Sequence, residues 1–268
     1  MLGYTAILAS GCSPERQLAR KYLKSYKGTG VLIVPAYEIY KDNLTISYDS
    51  TIAYQNWQLD SIAWAQSVYI NHLSDSIFLT EFTNNLIQEL SQSGYDVYVD
   101  ESMDVFLSLP DPKWIVQLSQ IQLNEMYYFH DYQMYSIATG EPYTIGYKIN
   151  KVELNTWLDV SKANAGNKQV LYLEAFIEDK VKMSLDMDIF EGTVQLIEHR
   201  DSVTVESLYQ VASESGVKHA ELLLDYFMND YIRENLPAGI IDRRLFSYRR
   251  NGNKLTRGIN ERFDVVTE

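Results

Sequence analysis

Few residues of this chain are arranged for catalysis. Its four histidines are His72, His130, His199 and His219. They form no H-E-x-x-H pattern and no pair four residues apart, and one cysteine cannot build a thiolate zinc site. The sequence also has no G-x-S-x-G motif, no P-loop and no G-x-G-x-x-G motif. We therefore expect no cofactor, no metal and no catalytic residue set, and we interpret the histidines as surface or hydrogen-bonded groups.

Two acidic patterns leave room for reactive sites. Asp186 and Asp188 form a D-x-D sequence, which can hold a divalent cation together with sugar-nucleotide phosphates. They also fall on the polar side of an alternating segment, where a two-residue spacing places any side chains next to each other. We therefore interpret them as a solvated strand face. The 36 acidic residues also allow a glycosidase pair of carboxylates, which only their separation in space can identify.

The only cysteine, Cys12, stands at a sharp boundary in composition. Residues 2–9 are apolar or small, Ser10 and Gly11 follow, and polar, charged sequence begins directly after the cysteine. An apolar segment that ends in small residues is typical of a secretory signal, because small side chains fit the cleft of a signal peptidase. The alternative is a buried first strand in which the cysteine is a small apolar residue.

The segment Leu8-Ala9-Ser10-Gly11-Cys12 resembles the lipobox of bacterial lipoproteins. The resemblance implies cleavage before Cys12 and acylation of its sulfur and new amino group, which would anchor the protein to a membrane. The implied signal peptide, residues 1–11, is shorter than usual, and a start upstream of Met1 would give it the usual length. By analogy with Gram-negative lipoproteins, Ser13 favours the outer membrane, and we expect a periplasmic face.

The net charge of −13 is unevenly distributed. Residues 243–262 carry seven Lys or Arg and one acidic residue, so the rest of the chain is more acidic than the total indicates. An acidic body repels phosphate and disfavours general nucleic-acid binding. The basic segment is a solvated end, a ligand for an acidic partner or for the chain's own body, or a contact for anionic lipid. Its candidate partner-binding residues are Arg243, Arg244, Arg249, Arg250, Lys254 and Arg257.

Tyrosine is abundant, with 21 residues against 9 phenylalanines, and its densest run lies within residues 127–147. The aromatic residues of this run that we single out are Tyr127, Tyr128, Phe129, Tyr132, Tyr135, Tyr143 and Tyr147. Tyrosine joins an apolar ring to a polar hydroxyl, which suits protein or glycan surfaces. It is also a favourable strand residue, so the run indicates either a recognition patch or ordinary β-structure.

Apolar spacing predicts the helices that position these residues. Apolar residues recur every four positions over residues 76–93, which predicts a helix that stops at Gly94. Residues 204–236 form another helical stretch, in one or two segments because Gly216 lies within it. A short amphipathic helix is predicted within residues 13–30.

Apolar runs and period-two alternation predict the strands. The predicted strands cover residues 31–34, 95–99, 114–123, 152–160, 169–177, 180–190 and 193–198. The alternation is most regular in residues 180–190, where the odd positions are apolar. One buried and one solvated face are typical of an antiparallel sheet.

Together these elements predict an α+β fold, with a mainly antiparallel sheet and helices packed on one face. We expect a signal peptide over 1–11, a lipidated tether over 12–30, a single α+β domain over 31–237 and a basic C-terminal tail over 238–268. The order of elements resembles that of periplasmic accessory lipoproteins, namely the curli-secretion channel subunit and activators of cell-wall synthases. The likeness is topological, so it implies no activity.

From these features we expect a lipoprotein of the cell envelope, anchored to the outer membrane through Cys12. It would bind or help assemble another envelope component, a protein or a glycan, without catalysis, and no nucleic acid is expected as a partner. Two alternatives stay open. One is a carboxylate-dependent glycan-processing enzyme of the envelope, and the other is a soluble cytoplasmic protein whose basic tail binds nucleic acid.

Overall fold

The computed structural model describes residues 13–46, 55–135, 139–164, 168–188, 193–237, 245–258 and 264–266. Its helices are α1 (Pro14–Ser25), α2 (Asn56–Gln66), α3 (Asp75–Ser93), α4 (Met103–Ser108) and α5 (Val205–Asn235). Its strands are β1 (Gly30–Val34), β2 (Tyr40–Asn43), β3 (Asp96–Tyr98), β4 (Trp114–Tyr135), β5 (Pro142–Lys162), β6 (Lys168–Glu178), β7 (Lys180–Asp188), β8 (Thr193–Asp201), β9 (Leu245–Arg249), β10 (Lys254–Gly258) and β11 (Asp264–Val266).

The main sheet has seven strands, in the order β11-β6-β5-β4-β1-β3, with β2 beside β4. The pairings β4–β5, β5–β6 and β6–β11 are antiparallel, and the shorter pairings of β1 with β3 and β4, and of β2 with β4, are parallel. Two separate hairpins, β7–β8 and β9–β10, complete the described strands. The structure confirms the predicted α+β class, with a mainly antiparallel sheet and helices packed on it; most of the helices cover one face, and the short α4 lies on the other.

The main core lies between the sheet and helices α3 and α5. Helix α3 contributes the four residues of the predicted apolar stripe, Phe78, Phe82, Leu86 and Leu90, all of them fully buried. Gly94 follows α3 in the left-handed conformation (φ 109°), which a residue without Cβ adopts without strain. The short helix α4 lies on the other face of β1, where a Cβ on Gly30 would meet the side chains of Leu109 and Phe106.

Helix α5 is continuous over 31 residues, so of the two alternatives for this stretch the single helix is present and Gly216 does not interrupt it. Gly216 instead lies where α5 crosses α3, and a Cβ there would meet the Phe82 carbonyl oxygen at 2.3 Å. The glycine is therefore needed for close helix packing rather than for a break. Among the described residues, no helix is both long and apolar enough to cross a bilayer.

The segment that we expected to be a tether is part of the fold. The predicted short helix is present as α1, and its residues Ala19 and Tyr22, with Tyr26 at its C-terminal cap, are buried. The Tyr22 ring lies against Tyr231 of α5, with the ring centroids 5.4 Å apart. Only Ser13, the N-cap of α1, separates this helix from Cys12, which itself lies outside the described residues.

The segment after residue 237 also differs from the predicted tail. Hairpin β9–β10 packs on α5, where the Asn229 side chain bonds both the backbone N–H and the carbonyl of Phe246. Phe246 is buried, and β11 adds to the edge of the main sheet beside β6. A basic composition concealed β9 and β10, whose apolar side chains at the core are Phe246, Tyr248 and Leu255.

Candidate functional site

Strands β4 and β5 are much longer than predicted, and their far ends leave the main sheet. Beyond Glu125 on β4 and Lys151 on β5, the two strands pair only with each other among the described residues. We call residues 127–135 and 142–150 the distal ribbon. At about 3.4 Å per residue it extends roughly 30 Å past the sheet. The aromatic run of residues 127–147 falls on this ribbon.

One face of the distal ribbon continues the face of the sheet that the helices cover, and we call it the core-side face. Phe129 and Tyr135 lie there, each 68% exposed, together with Tyr127. The Tyr127 and Phe129 rings meet edge to face at 5.8 Å between centroids, and the Lys148 ammonium lies 4.1 Å from the Tyr127 centroid. This face therefore combines exposed aromatic rings with a cation.

The opposite face, which we call the outer face, is more continuously aromatic and apolar. Register places Tyr128 opposite Ile149, His130 opposite Tyr147, and Tyr132 opposite Ile145. The rings of His130 and Tyr132 lie 4.6 Å apart, and those of Tyr132 and Tyr147 lie 5.5 Å apart, both with edge-to-face geometry. This face is thus an aromatic ladder with hydroxyl and imidazole groups at its surface.

Both edges of the distal ribbon present backbone N–H and C=O groups that pair with no strand among the described residues. A hairpin of two strands is marginally stable alone, and open edges of this kind accept a further strand. Large exposed aromatic surface is also typical of binding sites rather than of plain solvent-facing sheet. The ribbon is therefore suited to bind a partner through its edges and its rings.

The base of the distal ribbon is held on the β5 side by a buried carboxylate, Asp179, between β6 and β7. Its Oδ1 accepts the N–H of Val203 at 2.9 Å. Its Oδ2 accepts the backbone N–H of Asn150 at 3.2 Å and the side-chain amide at 2.8 Å. Arg200 completes the set, with Nη1 3.4 Å from Oδ2 and 3.0 Å from the Lys148 carbonyl oxygen. Asp179 therefore joins the ribbon to the base of hairpin β7–β8.

A second buried carboxylate, Glu125, holds the base on the β4 side. Its oxygens accept the Ser67 hydroxyl at 2.8 Å and three backbone N–H groups, of Val68, Tyr69 and Ile70. Glu125 is 1% exposed, so these bonds replace the water it would otherwise bind. Neither carboxylate was predicted from the sequence. An acidic residue in or beside a strand does not indicate that hydrogen-bond donors from distant segments will surround it.

Two predicted acidic patterns have different outcomes. The backbone of Asp186 and Asp188 lies in β7, but their side chains lie outside what the structure describes.

The hypothesis of a glycosidase pair of carboxylates can be examined at one cleft. Asp42 and Asp60 line this cleft of about 810 Å³ between β2 and α2, beside Trp64. Both carboxylates are exposed, whereas a glycosidase needs one acid that burial keeps protonated. No cluster of metal-ligating side chains occurs among the described residues.

The candidate partner-binding basic residues lie in different surroundings. Arg243 and Arg244 lie outside the described residues. Arg250 binds the chain's own body, since its Nη2 lies 3.0 Å from Glu89 and 3.1 Å from Gln92. The remaining three, Arg249, Lys254 and Arg257, are exposed on hairpin β9–β10.

The histidines lie apart from one another. His199 is exposed and its Nε2 lies 3.2 Å from the Ser184 hydroxyl, while His72 and His130 are also exposed. His219 is buried on α5, with its Nδ1 2.6 Å from the Ser215 carbonyl oxygen and its ring edge-on to Phe82. Its Nε2 has no hydrogen-bond partner among the described residues. Burial lowers the pKa of His219 to about 4, so at neutral pH it is an uncharged core residue.

Comparison with known proteins gives no assignment for this geometry: no protein-family model matches the chain, and no curated protein matches it in sequence.

Proposed function

We propose that this protein is a lipid-anchored component of the bacterial cell envelope that binds another envelope protein through the distal ribbon. The ribbon carries the proposal, because it places exposed aromatic rings on both faces and, beyond Lys148 on β5, backbone on both edges that pairs with no strand among the described residues. A polypeptide strand matches the spacing of a row of alternating N–H and C=O groups along its whole length, which favours a protein partner over a glycan. The protein acts by contact, without catalysis.

The anchor at Cys12 is the second part of the proposal, and the lipobox-like segment supports it. Since α1 begins at Pro14, an acyl group on Cys12 would be joined to a folded helix through one residue. The folded body would then lie directly at the membrane surface, with the outer membrane and its periplasmic face as the proposed location. The ribbon would project from this fixed base toward its partner.

The anchor is tested by labelling. We expect radiolabelled palmitate to be incorporated into the native protein, and the mass of its N-terminal peptide to show cleavage before Cys12 and acylation. The Cys12→Ala variant should lose the label and leave the membrane fraction in a high-salt wash, which removes electrostatic binding, because no second cysteine can replace the acceptor. Ser10→Ala, which keeps a small residue before the cysteine, serves as the control. A Cys12→Ala protein that stays in the membrane fraction through the high-salt wash contradicts the anchor.

The ribbon is tested by photo-crosslinking in cells. A photoreactive residue at Gln133, on the exposed core-side face between Phe129 and Tyr135, should form an adduct with an envelope polypeptide. Replacing both Phe129 and Tyr135 with threonine keeps β-propensity but removes two exposed rings. We expect this double variant to lower the adduct yield about tenfold or more, as loss of interface aromatic residues commonly does.

The matched control removes two exposed aromatic rings outside the ribbon, with Tyr37→Thr and Phe176→Thr. These rings are 79% and 54% exposed, so their loss should change neither folding nor the adduct yield. An adduct that contains glycan and no polypeptide would assign the ribbon to a different class of partner and reject the proposal. An adduct yield that the ribbon variant leaves unchanged would also reject it.

A further inference from the structure

Helix α1 has a basic surface that the proposed function does not use. Its buried side, with Ala19 and Tyr22, packs on the body of the protein. Its cations, Arg16, Arg20, Lys21 and Lys24, all lie on the opposite, exposed side, and we call them the basic face of α1; the exposed Lys27 follows just after the helix. The one acidic residue of the helix, Glu15, is buried. Within this helix of 12 residues, the basic side chains are therefore all exposed and the acidic side chain is buried.

Three cations of this basic face have no acidic partner among the described residues. None of the ion pairs in that part of the chain involves Arg16, Lys21 or Lys24. The chain as a whole carries −13, so these three exposed cations oppose the overall charge. A group of this kind creates a local positive potential that attracts anionic surfaces.

Hairpin β9–β10 lies near the C-terminal end of α1. Tyr26, at the C-terminal cap of α1, donates its hydroxyl to the Ser93 carbonyl oxygen, and Arg250 binds Glu89 and Gln92 at the same end of α3. The exposed residues Arg249 and Lys254 face each other across the hairpin that carries Arg250. Cations from both ends of the chain therefore lie near each other.

We propose that the basic face of α1 docks on the headgroups of anionic phospholipid in the membrane that carries the protein. This inference rests on the proposed anchor for its geometry, because α1 begins two residues after Cys12 and would lie at the bilayer surface. Charge complementarity identifies the occupant. A body of net charge −13 near an anionic membrane is repelled unless the surface that faces the lipid is positive. Acyl anchors are also commonly supported by a neighbouring polybasic patch.

The test is flotation with vesicles of phosphatidylcholine alone and with vesicles that also contain phosphatidylglycerol. The protein is the full chain with Cys12→Ala, so that no acyl group contributes in either arm. We expect binding to the anionic vesicles that exceeds binding to the neutral ones and weakens as salt is added. The triple variant Arg16→Gln, Lys21→Gln, Lys24→Gln should lower the partition coefficient on anionic vesicles about 100-fold at low salt.

The control variant, Lys180→Gln, Lys182→Gln, Lys218→Gln, removes the same number of exposed positive charges from other parts of the chain. It should bind anionic vesicles as the parent does. Equal binding by the α1 variant and the parent, equal binding to both kinds of vesicle, or binding to neither would each overturn the inference. An acidic protein that binds the parent chain but not the α1 variant, with no binding to vesicles, would assign the surface to a protein instead. These results are independent of whether Cys12 is acylated, which palmitate labelling decides.

Discussion

Replacing Asp179 with alanine is expected to lower the free energy of unfolding by about 3–5 kcal/mol, measured by urea denaturation. The side chain is fully buried and accepts hydrogen bonds from Val203, Asn150 and Arg200. Alanine leaves these donors without their acceptor in a site that water does not reach, and each such loss costs about 1–3 kcal/mol. Limited proteolysis should then cut first near residue 150 or residue 179, where the ribbon joins the sheet.

Glu198→Ala is the matched control for Asp179→Ala, because Glu198 binds the same arginine. Its Oε1 lies 2.9 Å from Arg200 Nε, but the carboxylate is 36% exposed. An exposed pair of this kind contributes about 0–1 kcal/mol, so Glu198→Ala should change the free energy of unfolding by no more than that. Equal losses for the two variants would show that the Arg200 ion pair, rather than the buried backbone donors, accounts for the stability.

The second large effect is a dependence of stability on pH through His219. Burial lowers its pKa in the folded protein to about 4, below the value of 6.5 for an unfolded chain. Between these two pH values the imidazole of His219 is protonated in the unfolded state but not in the folded state. The free energy of unfolding therefore falls as the pH falls. At about 1.4 kcal/mol per unit, we expect this residue to cost about 2 kcal/mol between about pH 6.5 and pH 5.

This cost is measured as the difference between two proteins. Urea denaturation of the parent and of His219→Leu at several pH values should show the parent losing about 2 kcal/mol more than the variant on acidification. His72→Gln, at an exposed position, should follow the parent. If parent and His219→Leu lose stability in parallel, His219 is protonated within the fold and the predicted penalty is absent.

Periodicity predicted the regular parts of this fold well. The four-residue repeat of α3 arises because one side of the helix is buried and the other is solvated, and the alternating segment of residues 180–190 contains the strand β7. The sequence left one or two segments open at Gly216, since a glycine required by a neighbouring helix looks in sequence like a glycine that ends a helix. The Phe82 carbonyl that requires this glycine lies 134 positions away in the chain (216 − 82) and has no local signature.

The candidate site was predictable only in part. Composition located the aromatic run of residues 127–147, but the strand was predicted to end at 123, because Asn, Glu, His and Asp interrupt the apolar pattern beyond it. A strand whose two faces both meet solvent has no buried side to impose alternation. The hydrogen bonds to Glu125 and Asp179 come from backbone N–H groups of segments that are remote in the chain, so no spacing of residue types predicts them.

The ribbon shares its two strands with the sheet, and this has a mechanical consequence. β4 pairs with β1, β2 and β5 within the body and continues unbroken to Tyr135 at the ribbon's far end. A pull along the ribbon therefore acts along β4 itself, and many inter-strand hydrogen bonds share the load in shear instead of opening one after another. The distal ribbon therefore resists being pulled out of the sheet, and a partner that pulls on its tip moves the whole body. Force applied along the ribbon is thereby transmitted through β4 to the body, whose first helix follows the residue that we propose is fixed in the membrane.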